Sequence, residues 1–173
     1  MKMMIIYSTT EGHTRTICEF LRDEAVAAGH LPALFDSTVK PPAPEEYEVV
    51  IIAGSVHGGK YQAALQHYVH EYHQTLNDMN SIFLSVSLTA ASDESESWKE
   101  LRQQTQDFLI ETGWKPAHIE YVAGALLFTK YDFMKRFLMR IISKRSGGDI
   151  DSSRDYIYTD WEQVKNVLEK VKE

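Results

Sequence analysis

The chain has a single cysteine, Cys18, among its 173 residues, so no internal disulfide can form. This fits a reducing compartment such as the cytoplasm. No apolar run reaches the roughly 18 to 20 residues that cross a bilayer, and the opening MKMMIIYS segment is too short for the apolar core of a signal peptide. Repeats and low-complexity tracts are also missing. The sequence therefore predicts one cytoplasmic domain over residues 1–173 that is either soluble or peripheral to a membrane.

Positive charge is scarce, because 18 Lys and Arg residues face 25 Asp and Glu residues for a formal net charge of −7. This balance argues against a nucleic-acid partner. The window 130–145 is the exception, with six bases and one acid, Asp132, so it carries +5 and the rest of the chain −12. Such a basic segment on an acidic protein predicts one local anionic partner.

Metal-binding and hydrolytic motifs are also missing. His67, His70 and His73 recur every third residue of a predicted helix, which turns each by roughly 60° from the last, so the three do not converge. A solvated helix face is expected there, and no metal site is predicted. Cys18 falls inside a predicted helix and is expected to pack as a small apolar group.

Short apolar runs alternate with amphipathic segments along the chain. The predicted strands are 3–7, 31–35, 49–53, 81–88 and 119–126, and the predicted helices are 14–28, 61–76, 98–112 and one near residue 161. A strand resumes at 156–158, and Thr159 has the capping-box spacing to Glu162. The alternation predicts an open parallel sheet covered on both faces. Its ligand should bind beyond the carboxyl ends of the strands, at the loops after Tyr7, Ala53 and Leu88.

The loop after the first strand carries hydroxyl groups and a glycine but no lysine. It matches neither the Walker A motif nor Gly-x-Gly-x-x-Gly, so its hydroxyl and backbone donors predict a cage for a monophosphate. Alternatively, Thr10 or Thr14 only caps the helix and Gly12 only makes the turn. The candidate residues are Ser8, Thr9, Thr10, Glu11, Gly12, His13 and Thr14.

The segment Thr9-Thr10-Glu11-Gly12-His13-Thr14 resembles the T-x-x-G-x-T phosphate loop of the flavodoxin family. The resemblance implies a three-layer α/β sandwich around a five-stranded parallel sheet of order 2-1-3-4-5, with flavin mononucleotide (FMN) as cofactor. Two further flavin loops would lie at 55–61 and 85–89, where His57 and Tyr61 could pack on the isoalloxazine ring or simply form surface. The candidates are Ser55, Val56, His57, Gly58, Tyr61, Ser85, Val86, Ser87, Leu88 and Thr89.

The C-terminal part resembles one branch of that family, the flavodoxin-type protoporphyrinogen oxidases. The similarity is carried by Ala123-Gly124-Ala125-Leu126, Ser146-Gly147-Gly148 and Tyr158-Thr159-Asp160-Trp161. It implies FMN-dependent oxidation of protoporphyrinogen IX in haem biosynthesis, with menaquinone or ubiquinone as the electron acceptor. It also implies a fifth strand split by an insertion at about 127–155. Two alternatives are a flavodoxin-like electron shuttle and an FMN-dependent NAD(P)H:quinone reductase.

The insertion contains a predicted amphipathic helix at 132–145. Phe133, Phe137 and Ile141 share one face, and bases fill much of the remainder, which suits the surface of an anionic membrane. The protein would then be peripheral on the cytoplasmic face; alternatively, the apolar stripe packs on the sheet. Whether the chain forms a homo-oligomer stays open. The candidate substrate and membrane residues are Lys130, Tyr131, Phe133, Lys135, Arg136, Phe137 and Arg140.

Overall fold

A five-stranded parallel sheet forms the centre of the computed structural model, which describes residues 1–129, 151 and 153–171. The strand order is β2-β1-β3-β4-β5, which confirms the predicted order and the three-layer α/β class. The strands are β1 (Lys2–Ser8), β2 (Leu31–Asp36), β3 (Val49–Ser55), β4 (Asn80–Ser87) and β5 (His118–Ala123).

Helices cover both faces of the sheet. Helices α1 (His13–Ala27) and α4 (Trp161–Lys170) pack on one face, and α2 (Ala63–Asn77) and α3 (Ser95–Thr112) pack on the other. Because side chains alternate along a strand, Met3 and Ile5 belong to the first core and Met4 and Ile6 to the second. None of the helices in the described ranges is long and apolar enough to cross a membrane.

The segment after β5 differs from the prediction. Strands β6 (Ala125–Leu126) and β7 (Tyr156–Ile157) pair antiparallel in a separate two-stranded sheet, so β7 does not extend the parallel sheet. The Tyr158 N–H donates to the Gly124 carbonyl at 3.1 Å. Because β7 runs in the opposite direction to β6, their backbone N–H and carbonyl groups pair in an antiparallel ladder. Of the predicted insertion, the helix at 132–145 lies outside the described residues.

The start of α4 corrects the predicted capping box. Asp160, rather than Thr159, caps the helix, because its Oδ1 accepts the N–H groups of Glu162 at 3.0 Å and Gln163 at 3.1 Å. A carboxylate at this position also suits the positive end of the helix dipole. Thr159 is thereby left outside the helix and faces the interior, where it is 8% exposed.

Candidate functional site

The carboxyl ends of β1, β3 and β4 meet at one edge of the sheet. In register, Ser8 lies beside Gly54 and Ser55 lies beside Val86. The chain leaves β1 for a helix on one face and leaves β3 for a helix on the other, so strand order reverses between them. Such a switch point opens a crevice for a ligand. The structure thus brings together the phosphate loop (residues 8–14), the second loop (55–61) and the third loop (85–89).

The phosphate loop turns on Gly12, whose left-handed φ of +90° immediately precedes α1. A Cβ there would meet no atom within 4 Å, so the backbone conformation rather than space favours glycine. Its N–H donates to Thr9 Oγ1 at 2.9 Å. The first bond within α1 runs from the Thr16 N–H to the Gly12 carbonyl at 3.2 Å, so the N–H groups of residues 13–15 have no acceptor inside the helix.

Gln62 joins the phosphate loop to the second loop. Its Nε2 donates to Ser55 Oγ at 2.6 Å and to Thr10 Oγ1 at 3.2 Å. Its Oε1 is buried without a hydrogen-bond partner in the described part of the chain. Gln62 is not among the candidate residues predicted from sequence. The available signal was its position directly before α2, where Ser, Thr, Asp or Asn is the usual cap.

The second loop contains a tight turn from His57 to Lys60. Their backbone groups exchange hydrogen bonds at 2.9 and 3.2 Å around Gly58 and Gly59, which have φ of +57° and +79°. Two consecutive positive φ values define a type I′ turn. His57 Nδ1 lies 3.2 Å from Glu11 Oε1, so this contact also ties the second loop to the phosphate loop. The half-exposed His57 ring stays a predicted contact of the isoalloxazine.

Tyr61 does not present its ring to the crevice, which corrects the prediction for this residue. The ring is 8% exposed and packs between Phe83 and Phe108 at centroid distances of 5.1 and 4.8 Å. It also lies against β3, since a Cβ on Gly54 would come within 2.9 Å of Tyr61 Cδ1. Tyr61 is therefore part of the core between the sheet and α3.

The Tyr61 hydroxyl belongs to a directed chain of buried hydrogen bonds. Thr105 Oγ1 donates to the Leu101 carbonyl at 2.9 Å, so it can only accept from Tyr61, whose oxygen lies at 2.9 Å. The Tyr61 oxygen in turn accepts from Ser85 Oγ at 2.7 Å. Burial raises the pKa of Tyr61, although the bonds to Ser85 and Thr105 oppose that shift. Ser85 is consequently occupied within the protein and is not a side-chain donor to a ligand.

The third loop keeps one hydroxyl available. Ser87 is 9% exposed, and its Oγ has no hydrogen-bond partner among residues 1–129, 151 and 153–171. Its carbonyl accepts the Gly124 N–H at 3.0 Å, and the Val86 carbonyl accepts the Val56 N–H at 3.0 Å. Residues 88–91 then form a 3₁₀ turn. The backbone of this loop is thus fixed by its neighbours, while the Ser87 hydroxyl lies at the carboxyl end of β4.

The remaining predictions concern Cys18, metal binding and the substrate and membrane residues. Burial raises the pKa of the Cys18 thiol, in line with the apolar packing predicted for it. In the described ranges, no three His, Cys, Asp or Glu side chains are grouped as metal ligands. The substrate and membrane candidates lie outside the described residues: Lys130, Tyr131, Phe133, Lys135, Arg136, Phe137 and Arg140.

The donors at the crevice fit a phosphate monoester. The helix start supplies backbone N–H groups, and the buried residues Ser8 and Thr14, which are 2% and 1% exposed, add hydroxyl groups. The loop contains no Lys or Arg, and Glu11 contacts His57. Neutral donors of this kind suit the single phosphate of the predicted cofactor, FMN.

Comparison with known proteins agrees with this geometry. A flavodoxin-domain family model matches residues 4–153. The chain also resembles oxidised flavodoxin 2 of Bacillus cereus at a TM-score of 0.58 and 15% identity, covering 99% of this chain and 98% of that one. The solved structure agrees with the fold, and the family match defines a flavodoxin-type oxidoreductase with the predicted cofactor, FMN.

Two curated relatives are more specific. The chain is 34% identical over 172 residues to a protein of Escherichia coli K12 named protoporphyrinogen IX dehydrogenase (quinone), covering 99% of this chain and 94% of that protein. A Leishmania major protein of the same name is 34% identical over 168 residues, covering 95% of this chain and 71% of that protein. The chain belongs to this family of quinone-dependent protoporphyrinogen IX dehydrogenases, as its C-terminal motifs predict.

Proposed function

We propose that this protein oxidises protoporphyrinogen IX to protoporphyrin IX and passes the electrons to a membrane quinone, menaquinone or ubiquinone, in haem biosynthesis. The supporting observation is the extent of the similarity, which covers 99% of this chain and 94% of the Escherichia coli relative. It therefore spans the insertion as well as the flavodoxin core. A simple electron shuttle needs no such insertion, and this favours the enzyme over the shuttle.

The chain's own part is to bind and orient FMN. We place the phosphate at the N–H groups of residues 13–15 and at the hydroxyls of Thr9 and Thr14, with the ring against the second and third loops. The Gln62 and Glu11–His57 contacts hold these loops together. When bound, FMN would supply the redox chemistry, and the six-electron oxidation of the macrocycle would take three two-electron rounds, each of which reduces one quinone to a quinol.

We expect the FMN-loaded protein to oxidise protoporphyrinogen IX anaerobically with a soluble menaquinone analogue, because electrons then leave through the flavin to a quinone. Porphyrin fluorescence reports the product. Removing FMN should abolish turnover, and adding it back should restore the rate. NADH or NADPH replaces the porphyrinogen in a parallel assay.

The parallel assay separates the alternatives. Turnover with a nicotinamide but not with protoporphyrinogen IX would support the quinone reductase. No turnover above the uncatalysed background with any of several quinones, despite full FMN occupancy, would support the electron shuttle.

We further propose that the protein works in the cytoplasm, at the surface of the cell membrane, through the basic segment 130–145. Its apolar residues suit contact with lipid, the macrocycle or the quinone, and its bases suit anionic headgroups. Each base near such a surface contributes roughly 1 kcal/mol, attenuated over a Debye length of about 8–10 Å.

Changing Lys135, Arg136 and Arg140 to glutamine should therefore weaken binding to phosphatidylserine-containing vesicles by at least about tenfold at low salt. Vesicle sedimentation measures the binding, and FMN content should stay unchanged. A matched control changes three exposed bases elsewhere, Arg102, Lys99 and Lys115, to glutamine. Equal loss of binding in both triple variants would point to net charge and would contradict a role for this segment.

A further inference from the structure

A buried histidine of the phosphate loop contacts a residue near the far end of the chain. His13 Nε2 lies 2.7 Å from Thr159 Oγ1, across a sequence separation of 146 residues. Both side chains are only 8% exposed. Thr159 lies beyond the insertion and outside all three predicted flavin loops. The contact therefore joins the phosphate loop to the part of the chain that returns from the insertion.

The direction of this hydrogen bond follows from a second one. Thr159 Oγ1 lies 2.7 Å from the Ala123 carbonyl oxygen, which can only accept. The single hydroxyl proton of Thr159 is thus donated to Ala123, and its oxygen accepts from His13. His13 must carry a proton on Nε2. The resulting chain of bonds runs from the start of α1 through Thr159 to the carboxyl end of β5.

Thr159 is itself fixed on both sides. Before it, the Tyr158 N–H is bonded to the Gly124 carbonyl; after it, Asp160 caps α4. Trp161 then packs edge-on against the His13 ring at a centroid distance of 6.2 Å and against Phe20 at 5.0 Å. The imidazole is therefore held between Thr159 and the first residue of α4.

We infer that His13 is a positioning residue that couples the FMN phosphate loop to the returning segment (residues 158–161). The inference rests on the proposed placement of the FMN phosphate. His13 is the first residue of α1, so its ring fixes the backbone whose N–H groups would face the phosphate. Because such coupling is reciprocal, anything that orders the returning segment should also tighten FMN binding.

The test uses substitutions at a residue that has no place in the flavin loops. Thr159→Val keeps the shape but removes the hydroxyl, and with it the bonds to His13 and to the Ala123 carbonyl. It should weaken FMN binding by about fivefold, as expected for the loss of the one bond that reaches the phosphate loop. Thr159→Ser should restore the wild-type affinity. Titration of apoprotein with FMN, followed by flavin fluorescence, gives the dissociation constants, and thermal melts of the apoproteins record stability.

Thr112→Val is the matched control. Thr112 is 1% exposed, and its hydroxyl donates to the Phe108 carbonyl at the last turn of α3, away from the crevice. It should lower the melting temperature without changing FMN affinity. If Thr159→Val behaves like this control, losing stability with unchanged FMN affinity, the contact is only structural and the inference is overturned.

Two variants of His13 test the same contact with Thr159, and they keep the inference testable even if Thr159→Val fails to fold. His13→Gln retains a donor near the position of Nε2 and should bind FMN like the wild type, whereas His13→Phe should show the fivefold loss. Combining His13→Phe with Thr159→Val should weaken FMN binding no more than either change alone, because each removes the bond between His13 and Thr159. Fully additive losses would overturn the coupling. Failure of the phosphate placement would instead appear as an unchanged affinity after alteration of Thr9 and Thr14.

Discussion

Replacing Thr9 and Thr14 together with alanine should weaken FMN binding by about a hundredfold or more. Hydrogen bonds to a charged group contribute roughly 1.5 to 3 kcal/mol each, and each 1.4 kcal/mol corresponds to about tenfold in affinity. Thr9 has a second role, because its Oγ1 accepts the Gly12 N–H at 2.9 Å and so shapes the turn. Fluorescence titration of apoprotein with FMN measures the loss.

Thr16 provides the control for this pair. It lies in the same first turn of α1 but is exposed, and its hydroxyl points to the Gly12 carbonyl at 3.4 Å. Thr16→Ala should change FMN affinity by no more than about twofold, as is typical of surface substitutions. An unchanged affinity in the Thr9 and Thr14 double variant would contradict the placement of the phosphate in this loop.

Replacing Trp114 with alanine should lower the free energy of unfolding by about 3 to 5 kcal/mol, the usual cost of removing a large buried aromatic ring. Trp114 is 2% exposed and packs on Phe83 at a centroid distance of 5.3 Å. Its Nε1–H donates to Ser81 Oγ at 3.0 Å. Urea unfolding of the apoprotein, monitored by circular dichroism, measures the change.

The hydrogen bond from Trp114 to Ser81 allows Trp114→Phe to be compared with Trp114→Ala. Ser81 Oγ also donates to the Leu76 carbonyl at 2.8 Å, so it keeps a partner when the indole is removed. Trp114→Phe should consequently cost only about 1 kcal/mol for the lost hydrogen bond plus a small packing loss. Neither variant should alter FMN affinity, because Trp114 lies before the amino end of β5, whereas the crevice lies at the carboxyl ends of the strands. A loss below about 1 kcal/mol in Trp114→Ala would contradict its role in the core.

The sheet could be predicted from sequence because its signals are local. The apolar run at 49–53 is buried on both faces as a parallel strand requires, and Gly12 marks the turn into α1 through its left-handed backbone. The sheet order and FMN came from family resemblance rather than from residue patterns. Both are confirmed, yet neither follows from periodicity alone.

Contacts between distant segments could not be predicted in this way. Tyr61 occupies a loop position that suits a flavin contact, and only the packing of Phe83 and Phe108 shows that its ring turns into the core. Thr159 has the spacing of a helix cap, but its oxygen is committed to His13 and its proton to Ala123. In both cases the local sequence is compatible with several roles for the side chain, and the contacts with residues distant in sequence determine which role it has.

The short ladder of β6 and β7 joins the two ends of the insertion. Leu126 pairs directly with Tyr156, and the closure continues where Thr129 donates its N–H and its hydroxyl to the Asp155 carboxylate at 2.9 and 2.8 Å. Paired residues of an antiparallel ladder lie about 5 Å apart, a gap that a two-residue turn bridges. We therefore expect that residues 130–154 can be exchanged for such a turn without moving the strands that carry the crevice. The exchange keeps residues 155–161, so the contact between Thr159 and His13 stays in place when the length of the insertion changes.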